Sequence, residues 1–207
     1  APLSYLEALF TAAIRHPKIV ALSIGTRPDC LPDEVLDLCA RVNREKPVWL
    51  ELGLQTIHED TAVFIRRGYP LSTFTDALSR LRARKLDTIV HVILGLPGED
   101  REKMLETVRY LARQDIQGIK LQLLHVLKGT DLATVYEQHP FPVMTMEEYL
   151  ELYDCVYRAV KAVDTRLQFG GPGAMSSVVW DPRGMRVFLQ YAKAHNCLPD
   201  FLTVQSY

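Results

Sequence analysis

The stretch Val90-His91-Val92-Ile93-Leu94-Gly95-Leu96-Pro97-Gly98-Glu99-Asp100 decides the fold. It is a β-branched and aliphatic run that stops at a glycine, turns through Pro97-Gly98 and opens a helix at Glu99-Asp100. A strand feeding straight into a helix is one unit of a βα repeat. The run carries a polar histidine inside an otherwise apolar strand, which makes His91 the first residue to examine for function.

The same alternation extends on both sides. Toward the amino end the patterns predict a helix over residues 3–16, with Leu6, Leu9, Phe10 and Ile14 on one face. A strand over 18–24, a helix from Pro32-Asp33-Glu34 to about 43 and a strand over 48–54 follow, the helix opening on acidic residues as its dipole favours. His58-Glu59-Asp60 opens a helix through Arg67, stopped by Gly68, and Ser72 or Thr73 caps the next, to about 84. Beyond residue 100 the patterns predict a helix over 101–113, a strand within 116–126, a loop at Lys128-Gly129-Thr130-Asp131 and a connector punctuated by Pro140 and Pro142. Thr145 and Glu148 have capping-box spacing at the head of a long helix to about 163. A strand over 166–169 breaks at Gly170-Gly171-Pro172-Gly173, a helix spans 182–195 and a sixth strand spans 199–204.

Six strands separated by helices call for an α/β fold with a parallel sheet and right-handed crossovers. We expect one domain over 1–207, a six-stranded partial (βα) barrel of the TIM-barrel kind, with its active site at the carboxyl ends of the strands. A complete eight-stranded barrel takes roughly 250 residues, more than are present.

Composition narrows the function. Of 207 residues, 48% are hydrophobic and 24% charged, as in an ordinary globular protein. A net charge of -1 offers no footprint for nucleic acid or an anionic membrane, and no apolar run approaches the ~20 residues that span a bilayer. With no basic n-region at the start, the expectation is a cytoplasmic protein. Cys30, Cys39, Cys155 and Cys197 show no CxxC or zinc-finger spacing, and Cys39 and Cys155 read as buried thiols in helices. Open sheet edges in a partial barrel suggest self-association, and a small-molecule ligand is the expected partner.

Four segments carry a resemblance. Leu22-Ser23-Ile24-Gly25-Thr26-Arg27-Pro28-Asp29, Leu50-Glu51-Leu52-Gly53-Leu54-Gln55-Thr56, His91 through Glu99, and Leu124 through Thr130 follow one another with fitting gaps. In this order they resemble the radical S-adenosylmethionine (SAM) superfamily over about residues 19–145, in the branch of coproporphyrinogen dehydrogenase and the elongator catalytic subunit. The resemblance implies Gln55 as a polar cofactor contact, Arg67 as partner of the methionine carboxylate, and His91 at a strand position that touches cofactor. Lys128, Gly129 and Thr130 resemble the loop that edges the adenosine. Elementary geometry agrees, because Glu51, Gly53 and Gln55 share a strand face and an arginine fork suits a carboxylate.

The resemblance also implies a [4Fe-4S] cluster held by three cysteines at CxxxCxxC-type spacing. No cysteines here have that spacing, so the expectation is a chain that keeps part of a SAM pocket without the cluster ligands. Over residues 148–207 the chain resembles β-xylosidase and α-L-iduronidase, through Ala162 to Leu167, Gly170-Gly171-Pro172, Leu198 to Phe201 and Gln205-Ser206-Tyr207. That second resemblance suggests a chimeric or engineered barrel joined near residues 144–150, with parts 1–146 and 147–207 and little native catalysis. It leaves a retaining glycosidase fragment, or a radical SAM enzyme completed by further strands, as alternatives. Without the resemblance, His91 reads first as a core histidine bonded to a carbonyl, Arg67 as a charge near a helix end, and Gln55 as a satisfier of loop backbone; with it, the two readings of His91 stand level.

Overall fold

A computed structural model of the chain describes residues 1–175 and 183–205, with side chains described through 171 and from 183 to 202. The suggested start of the last helix at Pro182, together with Trp180, Ser206, Tyr207 and the side chains of Pro172 and Gln205, lies outside those residues.

Six parallel strands run in the order β1 (Leu22–Thr26), β2 (Val48–Gln55), β3 (Asp87–Leu94), β4 (Gly118–Leu123), β5 (Gln168–Met175) and β6 (Phe201–Gln205). They form the expected partial barrel, a curled α/β half-barrel in which each strand pairs with its successor. The helices are α1 (Leu3–Arg15), α2 (Asp33–Val42), α3 (Glu59–Phe64), α4 (Leu71–Ala83), α5 (Arg101–Ala112), α6 (Asp131–Gln138), α7 (Met146–Val163) and α8 (Arg183–Ala194).

Period-2 alternation divides the sheet into two faces. Along β2, Val48, Leu50, Leu52 and Leu54 are buried while Trp49, Glu51, Gly53 and Gln55 are only partly so. β3 repeats this, with Thr88, Val90, Val92 and Leu94 buried between Ile89, His91 and Ile93. The buried set packs with Leu36 and Leu38 of α2, Phe74 and Leu81 of α4, Val108 and Leu111 of α5, Tyr153 and Val156 of α7, and Phe188 of α8 in one core. Full burial of such side chains stabilises by roughly 1.5–3 kcal/mol each, so this face holds the sheet together. The other face is concave and carries the site.

Several boundaries differ from expectation for identifiable reasons. The first strand begins at Leu22 rather than 18, because its partner β2 starts at Val48, just after Pro47. The Lys46 ammonium instead fastens the preceding segment, donating to the carbonyls of His16 at 2.9 Å and Ile19 at 2.6 Å. Helix α4 starts at Leu71 behind Pro70, with no side-chain cap from Ser72 or Thr73. Helix α3 ends at Phe64, so Arg67 lies in the loop beyond it. The capping box at Thr145 and Glu148 is present at the head of α7. Strand β5 runs through Gly170-Gly171 to Met175, its register shifting between Gly170 and Gly173.

The expected loop and connector conceal α6. Thr130 caps this helix, its hydroxyl accepting from the Ala133 amide at 3.2 Å. None of its residues is buried, and its apolar set, Leu132, Val135 and Tyr136, spans little more than one turn of an eight-residue helix, too short a period to stand out from a loop in the sequence.

Candidate functional site

The site is a cavity of about 770 Å³ at the carboxyl ends of β1 to β4. In open and closed α/β barrels this end is where strands stop and loops converge. Gly25, Glu51, Gly53, Gln55, His91 and Ile93 supply its floor from the concave face, and Phe64 through Arg67 with Tyr69 form one wall. The opposite wall is Leu124 together with Asp131, Leu132 and Val135 of α6. The helix without buried residues thus encloses the site.

The floor is a charged cluster spread over four strands. Glu51 takes Ser23 Oγ on Oε1 at 2.6 Å, and both His91 Nε2 at 2.5 Å and Lys120 Nζ at 3.1 Å on Oε2. Register explains the convergence, since Gly53 pairs with His91 and His91 with Lys120. The Lys120 side chain is only 3% exposed and that of Glu51 12%. Buried charges persist only when paired, and here the hydrogen bond from His91 leads in holding the Glu51 carboxyl down at about 2, with Ser23 and Lys120 adding to it against burial.

Gln55 closes β2 in a conformation that side chains rarely adopt, φ 70°. The pairing with β3 slips between Gly53 and Gln55, and the Gln55 amide folds back over Gly53. A Cβ on Gly53 would stand 2.8 Å from Gln55 Nε2, so a larger residue there would push that amide out of its present place. Its Oε1 is buried without a hydrogen-bond partner. This oxygen is free to accept a hydrogen bond from a group that enters the cavity. Tyr69 braces the same turn, its hydroxyl donating to the Gly53 carbonyl, and its ring lies under the guanidinium carbons of Arg67 at 5.0 Å and Arg27 at 5.3 Å.

Arg67 is buried, and its fork donates to the carbonyls of Tyr69 at 2.9 Å and Thr56 at 2.7 Å and to Glu59 Oε1 at 3.1 Å. Three of the five N–H donors of a guanidinium are therefore used inside the chain. Two other arginines reach the cavity, Arg27 in a fork to Asp29 and Arg66 against Asp131 at 2.5 Å. Each arginine brings its own carboxylate, so the rim presents dipolar pairs rather than a block of positive charge.

The structure thus brings together Gln55, Arg67 and His91 of the residues singled out in the sequence. Lys128, Gly129 and Thr130 are exposed and stand outside the cavity lining. They are next to it through α6: the Thr130 hydroxyl, bonded to the Leu127 carbonyl at 2.7 Å, starts the helix that carries Asp131, Leu132 and Val135. Sequence reading passed over Lys120, Tyr69 and Arg27 as site residues, and took Glu51 only as a neighbour of Gln55.

Among the described residues no group of three His, Cys, Asp or Glu side chains is placed to hold a metal ion, and no helix is long and apolar enough to cross a membrane. Cys39 and Cys197 are buried, and burial pushes both thiols up to about 11, the opposite of what a metal-ligating thiolate needs. Cys155 is only half-buried, less than its helical pattern suggested.

Comparison with known proteins places the chain in a family. The family model for the radical SAM superfamily matches residues 2–111, and that for the radical SAM C-terminal domain matches 116–168. The chain belongs to the radical SAM superfamily. It is 41% identical over 152 residues to the uncharacterized protein YtqA of Bacillus subtilis, a match covering 73% of this chain and 47% of that one. The chain spans about half the length of the curated relatives it matches. Among solved structures, the archaeal Elp3 of Methanocaldococcus infernus superposes with a TM-score of 0.70 at 18% identity, covering 96% of this chain and 52% of that one. A glucosidase from Croceicoccus marinus superposes with a TM-score of 0.57 at 18% identity, over 90% of this chain and 43% of that one, which is a likeness of fold alone. The second family model runs across the join suggested at 144–150, and nothing here supports a separate glycosidase segment or a chimera.

Proposed function

We propose that the cavity at the carboxyl ends of β1 to β4 binds S-adenosylmethionine. The observation that carries the reading is the buried, partnerless Oε1 of Gln55, held at the cavity by a strained φ of 70°. SAM has an ammonium and two ribose hydroxyls, donors of the kind this oxygen lacks. Leaving a buried acceptor unmade costs about 1–3 kcal/mol, and a donating ligand removes that cost. The arginine pairs at the rim suit the methionine carboxylate, with Arg27 and Arg66 more accessible than Arg67. Ile93, Leu96, Leu124, Leu132 and Val135 offer apolar surface to the adenine and exclude water around it.

In the family the bound SAM supplies radical chemistry from a [4Fe-4S] cluster. No three cysteines of this chain have the spacing that the family resemblance implies for that cluster, and Cys39 and Cys197 are buried with raised thiols, which does not suit a ligand. We therefore assign this chain the SAM pocket and no step through the cluster. Glycosidase action has no observation behind it beyond the shared fold.

Titration calorimetry with SAM tests the reading. Saturable binding is expected, weakened about tenfold, or ~1.4 kcal/mol, in Gln55→Ala. Absence of binding heat in the folded wild-type protein would overturn it.

A further inference from the structure

The cluster on the floor has a consequence for the ligand. His91 meets Glu51 Oε2 through Nε2 at 2.5 Å, and its ring is 14% exposed at the cavity. Nδ1 has no partner among the described residues. A carboxylate only accepts, so the nitrogen facing it must carry the proton, and in the neutral imidazole this leaves Nδ1 as a bare acceptor. The carboxylate is itself fixed. Ser23 occupies its other oxygen, and the buried Lys120 ammonium shares Oε2 with His91. Lys120 also supplies a positive charge to balance Glu51 without any proton on Nδ1.

We propose that Glu51, with Lys120 behind it, is a positioning residue that holds His91 protonated at Nε2 and presents Nδ1 to the cavity as an acceptor. The ligand group at His91 is then a hydrogen-bond donor, a hydroxyl or an amine, and not a carboxylate or phosphate oxygen. With Gln55 Oε1, the floor offers two acceptors to one ligand while the arginine pairs stay at the rim. An anionic end would therefore lie toward the loops and a donor-bearing end toward the sheet. This rests on the cavity being a ligand site, but the state of the ring is measurable with no ligand present.

Nitrogen-15 NMR of the imidazoles decides it, with the His91 signals assigned by their loss in His91→Phe. At a pH where titration shows the ring neutral, the expected spectrum has a protected Nε2–H proton, slow to exchange with water, and an unprotonated Nδ1. In the double variant Glu51→Leu with Lys120→Met, which removes both charges together, the protection is lost while the backbone amide spectrum stays folded. If that variant does not fold, the wild-type spectrum decides alone. A ring protonated at Nδ1, an unprotected Nε2 proton, or protection that survives in a folded double variant overturns the proposal. Calorimetry with SAM tests the cavity reading separately, so SAM binding beside a failed spectrum, or the reverse, identifies which of the two is wrong.

Discussion

Along β2 the two faces of the sheet interleave residue by residue, and they obey different rules. Leu50, Leu52 and Leu54 are fully buried against helices, while Glu51, Gly53 and Gln55 between them hold a shared carboxylate, a glycine beneath the Gln55 amide and an orphaned amide oxygen. The first set is interchangeable in kind, since any well-fitting apolar side chain serves. The second set depends on particular atoms in particular partners. Stability and chemistry thus share a strand but not a face, and a one-residue slip in register would exchange them.

The sharpest way to break this comparison is at Glu51. Glu51→Ala strands the buried Lys120 ammonium, and removing one partner of a buried ion pair costs about 3–5 kcal/mol. Replacing both partners, Glu51→Leu together with Lys120→Met, is expected to restore most of that loss in urea unfolding. A double variant as unstable as the single one would make the concave face a structural core like the other. Leu52→Ala, one residue along, is expected to cost about 2–5 kcal/mol through its cavity while leaving SAM affinity within a factor of two. A large loss of affinity in a still-folded Leu52→Ala protein would show that the faces are coupled.

Acid sharpens the same contrast. The Glu51 carboxyl sits at about 2 in the folded chain against an ordinary 4.5, chiefly through the hydrogen bond from His91. A depressed carboxyl contributes stability that is present above 4.5 and lost as pH falls from there toward 2. The acid limb of the stability profile should therefore be shallower in the double variant, Glu51→Leu with Lys120→Met, than in the wild type. Identical limbs would place the shift elsewhere.

How much of this was legible follows from where each signal resides. The strands and most helices could be read because burial against a packed layer imposes a period, as in Val90 to Leu94, and because a capping box is a local device. Helix α6 left only the short set Leu132, Val135 and Tyr136 in eight residues, although Thr130-Asp131 gave a start signal in hindsight. Gln55 and His91 were found through the family likeness and lie in the cavity. Lys120 was not, because its partner is 69 residues away and the pairing depends on the register of three strands, which no local pattern encodes. The left-handed backbone at Gln55 was equally silent, as glutamine is not a residue that announces positive φ.

That silence makes Gln55 the place where the two faces should part most clearly. A side chain in the left-handed region costs roughly 1–2 kcal/mol, and a glycine there avoids that cost while giving back about 0.5–1 kcal/mol in chain entropy. Gln55→Gly also removes the partnerless Oε1 from the interior. The variant should therefore be more stable than the wild type by about 1 kcal/mol in the absence of ligand, yet bind SAM about tenfold more weakly. A residue that serves packing cannot show that pattern, because its removal lowers stability. Loss of both stability and affinity on Gln55→Gly would assign the amide to the scaffold; a gain in one against a loss in the other marks a strained group retained for what it binds.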